Sequence, residues 1–78
     1  MTLIIKYFGM TAEASGKEEE VDTLSYSSVQ DLREALVAKY PELGNVNYKV
    51  AANQTIVADD YLLTGNEEIA LLPPFAGG

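Results

Sequence analysis

An α+β fold is predicted, a mixed sheet of about four to five strands with one main helix across one face. Apolar, β-branched runs stand near both ends of the chain and one stretch of helical spacing lies between them. The elements follow in the order strand, strand, helix, strand, short strand, strand. At 78 residues the chain is expected to make one domain, 1–78, near the size at which a single core gives only a few kcal/mol of net stability.

Leu3-Ile4-Ile5-Lys6-Tyr7-Phe8 closes at Gly9 and reads as the first strand. Met10 to Gly16 reads as a loop. Residues 17–24 alternate weakly, with Val21 the only apolar side chain among acids before Leu24, and read as a second strand at a sheet edge. Glu18-Glu19-Glu20 is then a solvated edge and not a metal site, because alternating strand positions diverge. Ser27 with Gln30, or Ser28 with Asp31, has capping-box spacing, and Val29, Leu32, Leu36 and Tyr40 follow at helical intervals with Ala35 on the same side. Pro41 ends that helix.

After a loop over 42–47, residues 48–52 and 55–57 read as two short strands turning at Asn53-Gln54. A turn-rich connection, 59–66, leads to the last strand at 67–72. Asp59-Asp60 and Glu67-Glu68 read as solvated acids available to a basic partner, and Tyr40, Tyr48 and Tyr61 as core or boundary residues with hydroxyls at the surface.

Strand parity divides the two faces of the sheet. Leu3, Ile5 and Tyr7 share one face, while Ile4, Lys6 and Phe8 share the other, which Lys6 marks as the outer one. Ile69 and Leu71 then point to the helix, and Glu68, Ala70 and Leu72 point outward, as does Ile56. Phe8, Ile56 and Leu72 thus put large apolar groups on a face that no second helix covers, which reads as a partner surface. The other reading is that they are scattered singly or covered by the 10–16 loop.

The chemistry is confined by composition. With no Cys and no His, a thiol nucleophile, a disulfide framework, a Cys/His zinc site and a histidine base are all absent. The net charge of −7 disfavours nucleic acid and anionic membranes and favours a basic protein groove. The 2–8 run is too short for a signal or membrane segment, so the expected location is cytoplasmic. What remains is the end of the chain. Pro73-Pro74-Phe75-Ala76-Gly77-Gly78 is expected to protrude as a tail: prolines favour an extended path, and two glycines can pass a channel too narrow for side chains.

Tyr7-Phe8-Gly9, Gly16-Lys17-Glu18-Glu19, Val29 and Leu32 with Pro41-Glu42-Leu43, Val50 through Gln54, and above all the run Gly65-Asn66-Glu67-Glu68-Ile69-Ala70-Leu71-Leu72-Pro73-Pro74-Phe75-Ala76-Gly77-Gly78 carry a resemblance. Across essentially its whole length the chain resembles the ubiquitin-like sulfur carriers (MoaD- and ThiS-like proteins), and within them the small subunits of molybdopterin synthase. The resemblance implies a β-grasp fold and a carrier role. The Gly78 carboxylate would be adenylated by an ATP-using activating enzyme of the ubiquitin-activating type, and a sulfur donor enzyme would displace AMP to leave a thiocarboxylate. The tail would then insert into the large subunit of molybdopterin synthase, where sulfur passes to cyclic pyranopterin monophosphate.

By position, Gly78 is the reacting residue, Gly77 fits the channel, Ala76, Phe75, Pro74 and Pro73 line the way in, and Phe8, Ile56 and Leu72 match the apolar contact surface. No permanently bound cofactor is implied, and the catalytic side chains belong to the partners. The chain departs from the family pattern at Ala12 (often Arg), Asn66 (usually Asp) and Phe75 (commonly a smaller β-branched residue). The same carrier chemistry could serve another acceptor, such as the thiazole of thiamine, tRNA or a cysteine-type biosynthesis. A different class is a ubiquitin-like modifier or binding module.

Overall fold

A computed structural model describes residues 2–23 and 25–73. The elements are β1 (Leu3–Tyr7), α1 (Met10–Ser15), β2 (Glu19–Asp22), α2 (Val29–Lys39), a 3-10 helix (Pro41–Asn45), β3 (Lys49–Ala52), β4 (Thr55–Val57) and β5 (Glu68–Leu72). They form a five-stranded sheet in the order β2-β1-β5-β3-β4. The first and last strands are parallel neighbours, Ile5 beside Ile69 and Tyr7 beside Leu71, and the other pairings are antiparallel. This is the expected β-grasp arrangement.

Parity reads true throughout the inner face. Leu3, Ile5, Tyr7, Val50, Ala52, Ile69 and Leu71 pack with Val29, Leu32 and Leu36 of α2 and with Leu43 of the 3-10 helix. Helix α2 starts where the serines place it: Ser28 Oγ accepts the Asp31 amide at 3.3 Å. Two more first-turn donors, Val29 and Gln30, reach the carbonyls of Tyr61 and Asp59 at 3.0 and 2.9 Å. The 59–63 connection is thereby tied to the helix start.

The turn at Asn53-Gln54 holds, with both residues at positive φ, 50° and 71°, as a two-residue turn of mirror-image type requires. Asn53 is also a staple. Its amide donates to the Glu68 carbonyl at 2.9 Å and its Oδ1 accepts the Glu68 amide at 3.0 Å, fixing β5 against the hairpin.

Two expected loops are helical. Residues 10–15 form α1, because the Phe8 and Gly9 carbonyls accept the amides of Thr11, Ala12 and Glu13, and Gly16, at φ 74°, closes the turn onto the Ala12 carbonyl at 2.8 Å. The 42–47 segment holds a 3-10 helix that begins on Pro41, whose missing N–H costs nothing at a first helical position. The second strand is shorter than expected, and the Leu24 end of that expectation lies outside the described residues.

Two carboxylates read as solvated are buried organisers instead. Glu20 pairs with Ile5 on the helix-facing side, and its side chain is only 7% exposed. It accepts the hydroxyls of Tyr7 at 2.7 Å and Tyr40 at 3.0 Å and pairs with Lys39 and Lys17. The Tyr40 hydroxyl is therefore bonded within the protein from a half-buried position, and its ring meets that of Tyr7 edge-on at 6.1 Å. Burial opposes the Glu20 charge, but the Lys39, Tyr7 and Tyr40 donors outweigh it and hold its pKa at about 2.

Glu67, 2% exposed, is withdrawn from any partner. It accepts the amides of Thr64, Gly65 and Asn66 at 2.7, 2.8 and 3.1 Å and the Thr64 hydroxyl at 3.0 Å. Burial works against its charge, yet these donors hold the carboxyl below the ordinary range. Tyr48 is buried as well, with the Arg33 guanidinium 4.6 Å above its ring and Asp59 paired to that arginine at 3.1 Å.

Both carboxyls have folded-state pKa values below the ordinary 4.5, so their stabilisation is complete above that pH and is lost as pH falls through the folded values, which for Glu20 means towards about 2. Glu67→Gln should therefore cost about 2–3 kcal/mol at neutral pH, since an amide cannot accept four donors, and should flatten the acid limb in urea denaturation run across pH. Gln54→Gly should stabilise by up to about 1 kcal/mol by relieving a left-handed residue, read from the same denaturation midpoints.

Candidate docking face and tail root

Side chains on the outer face follow from register. Lys6, Ala70, Ala51 and Ile56 lie in one row across β1, β5, β3 and β4. Phe8 continues β1 one residue past the Tyr7–Leu71 pair, which sets it level with Leu72. Phe8 is 45% exposed and Ile56 58% exposed, while Leu72 is half-buried. Phe8 and Leu72 thus each follow the Tyr7–Leu71 pair by one residue, and Ile56 lies on β4, two strands from β5. The floor between is low, because Ala51 and Ala70 are small. A trough results, apolar on both sides. Helix α1 does not cover Phe8.

The apolar surface is wider than parity alone suggested. Ile4, 38% exposed, stands opposite Val21, 59% exposed, and extends the surface to the β2 edge. The sequence marks Val21 only as the lone apolar residue of an acidic strand; its pairing with Ile4 places it on the outer face. Between this pair and the trough sits the ion pair of Lys6 with Glu68, 3.3 Å long and half-exposed. It is worth little in stability.

The root of the tail is clamped. Thr11, completely buried, accepts the Phe8 amide at 2.8 Å and donates to the carbonyls of Phe8 at 2.7 Å and Leu71 at 3.2 Å. One hydroxyl thereby ties α1, the end of β1 and the end of β5. Gly9 adopts φ 57° and ψ −126°, a combination that residues with a Cβ rarely reach, and a Cβ there would stand 2.9 Å from Pro73 Cγ. Only glycine lets Pro73 pass at that distance. Beyond Pro73, the expected site residues Pro74, Phe75, Ala76, Gly77 and Gly78 lie outside the described residues. Neither Thr11 nor the steric reason for Gly9 was found from sequence; a threonine two positions after a glycine carries no recognisable signal.

A family model described as the ThiS family matches residues 5–78. The molybdopterin synthase sulfur carrier subunit of Mycobacterium tuberculosis is 35% identical over 95% of this chain and 94% of its own length, and that of Escherichia coli is 28% identical over 95% and 96%. The solution structure of the small archaeal modifier protein 1 from Methanosarcina acetivorans superposes with a TM-score of 0.83 at 27% identity, covering 99% of this chain and 96% of that one. With the family match spanning nearly all of it and the sheet order of a β-grasp, this chain belongs to the ThiS family.

Proposed function

We propose that the chain is the sulfur carrier subunit of a molybdopterin synthase. The observation that carries this reading is the apolar trough of Phe8, Leu72 and Ile56 standing at the root of the tail, in a chain 35% identical to a curated carrier subunit. A carboxylate is a poor electrophile. In this reading a terminal oxygen of Gly78 attacks the α-phosphorus of ATP in an activating enzyme, pyrophosphate leaves, and a sulfur donor displaces AMP to give the thiocarboxylate. The large subunit then receives the tail, and sulfur passes to cyclic pyranopterin monophosphate.

The body's own residues position and do not react. Thr11 and Gly9 set where β5 ends and Pro73 begins, and the trough seats the partner so that the tail's reach is used inside its active site. Lacking Cys and His, the chain offers no side-chain thiol or imidazole to compete with the terminus.

A second reading has its own observation, the 27% identity to a small archaeal modifier protein over 99% of the chain. In that case Gly78 forms isopeptide bonds with lysines. Conjugates that accumulate in cells and vanish when Gly78 is deleted would favour it.

Intact-mass analysis after incubation with ATP, the activating enzyme and a sulfur donor should show one terminal oxygen exchanged for sulfur; an unchanged mass, beside a relative that does change, would end the carrier reading. Ile56→Asp should weaken binding to the large subunit about tenfold or more while moving stability by no more than about 0.5 kcal/mol, because the side chain is exposed in the free chain. Calorimetric titration and thermal melting measure the two separately.

A further inference from the structure

Lys49 opens β3 opposite Leu72, the residue that ends β5 just before Pro73. Directly paired residues of an antiparallel ladder point to the same face, so the Lys49 side chain stands beside Leu72 on the outer face, at the root of the tail. Lys49 is exposed. Its other neighbours on that face are Ala51, two residues along β3, and Ala70, two residues back along β5. Neither carries charge. The carboxylates at outer strand positions, Glu68 and Glu19, are remote: Glu68 lies four residues before Leu72 and is taken by Lys6 at 3.3 Å, and Glu19 lies on β2, with β1 and β5 between it and β3. Lys6, Lys17, Arg33 and Lys39 each lie within 3.4 Å of a carboxylate, whereas among the described residues none pairs with Lys49. With 12 acids against five bases, a shortage of carboxylates is not the reason; placement among apolar residues is.

A surface that covers Leu72 also covers its cross-strand neighbour, whose side chain begins about 5 Å away. Stripping water from an ammonium without a counter-charge opposes binding, whereas a facing carboxylate turns the same contact into one that selects its partner. We propose that the partner that receives the tail presents an aspartate or glutamate to Lys49, beside the point where the tail leaves the body. The inference rests on the carrier reading above and adds to it the chemistry of a residue the partner must supply. The contact runs against the bulk electrostatics: a net charge of −7 favours a basic partner surface, and this is an acidic spot within it.

Calorimetric titration of the chain with the large subunit of molybdopterin synthase from the same organism, at low and at physiological salt, tests it. Lys49→Met removes the charge and keeps the length of the stem. Because the variant is more negative, attraction to a basic surface alone would tighten its binding. A facing carboxylate instead predicts binding about tenfold weaker at low salt, with a smaller loss at physiological salt. Lys49→Arg keeps the charge and should stay within about threefold of the unaltered chain. Both variants should melt as the unaltered chain does, since the residue is exposed. Tighter or unchanged binding of Lys49→Met, as for an ammonium that stays hydrated at the rim, would overturn the inference and leave the carrier reading intact, and so would equal losses in the two variants. Failure of the unaltered chain to bind would remove the carrier reading and this inference together.

Discussion

The parallel pairing of β1 with β5 joins the two ends of the sequence at the centre of the sheet. Because β5 is flanked by β1 on one side and β3 on the other, the strand that leads into the tail is held on both sides. The same pairing brings Phe8, from the start of the chain, level with Leu72 near its end. Core and candidate docking face are therefore two sides of one register, and a slip of one residue would exchange them.

Two buried carboxylates hold what hydrophobic packing leaves loose. Glu20 gathers β1, β2 and the C-terminal end of α2 through two phenols and two ammonium groups. Glu67 closes the turn before β5 by taking three consecutive amides, of which that of Gly65 is buried and would otherwise lack an acceptor. Both depend on charge, since a neutral carboxyl would leave some of these donors unmet. In a chain this small, with no cross-link, such fully satisfied anions take over part of the work of a larger core.

Period-two alternation in β1 and β5 and the 3.6-residue stripe of α2 were legible because burial imposes them directly on side-chain type. The Asn53-Gln54 turn was legible from the local preference of asparagine for positive φ. What stayed hidden depended on partners distant in sequence or on very short elements. Glu20 and Glu67 look like any surface acid until Tyr7, Lys39 and the Thr64 turn are placed around them. Helix α1 is one and a half turns long and has no apolar stripe to reveal it. At the candidate site, Phe8, Ile56 and Leu72 were read from parity, Val21 and Thr11 were not, and the expected positions 74–78 lie outside the described residues.

The ion pairs have a bearing on selectivity. Three of the four lysines, Lys6, Lys17 and Lys39, are held against carboxylates, and the contacts of Lys17 with Tyr40 and Glu20 and of Lys39 with Glu20 raise the pKa of both amines. A protonated amine has no lone pair to offer. Under the carrier reading proposed above, the chain's own amines are nucleophiles that would consume an activated terminus, and the pairings of Lys17 and Lys39 favour their protonated forms. On that reading, charge pairs that add little to the free energy of folding also shield an acyl adenylate from self-consumption.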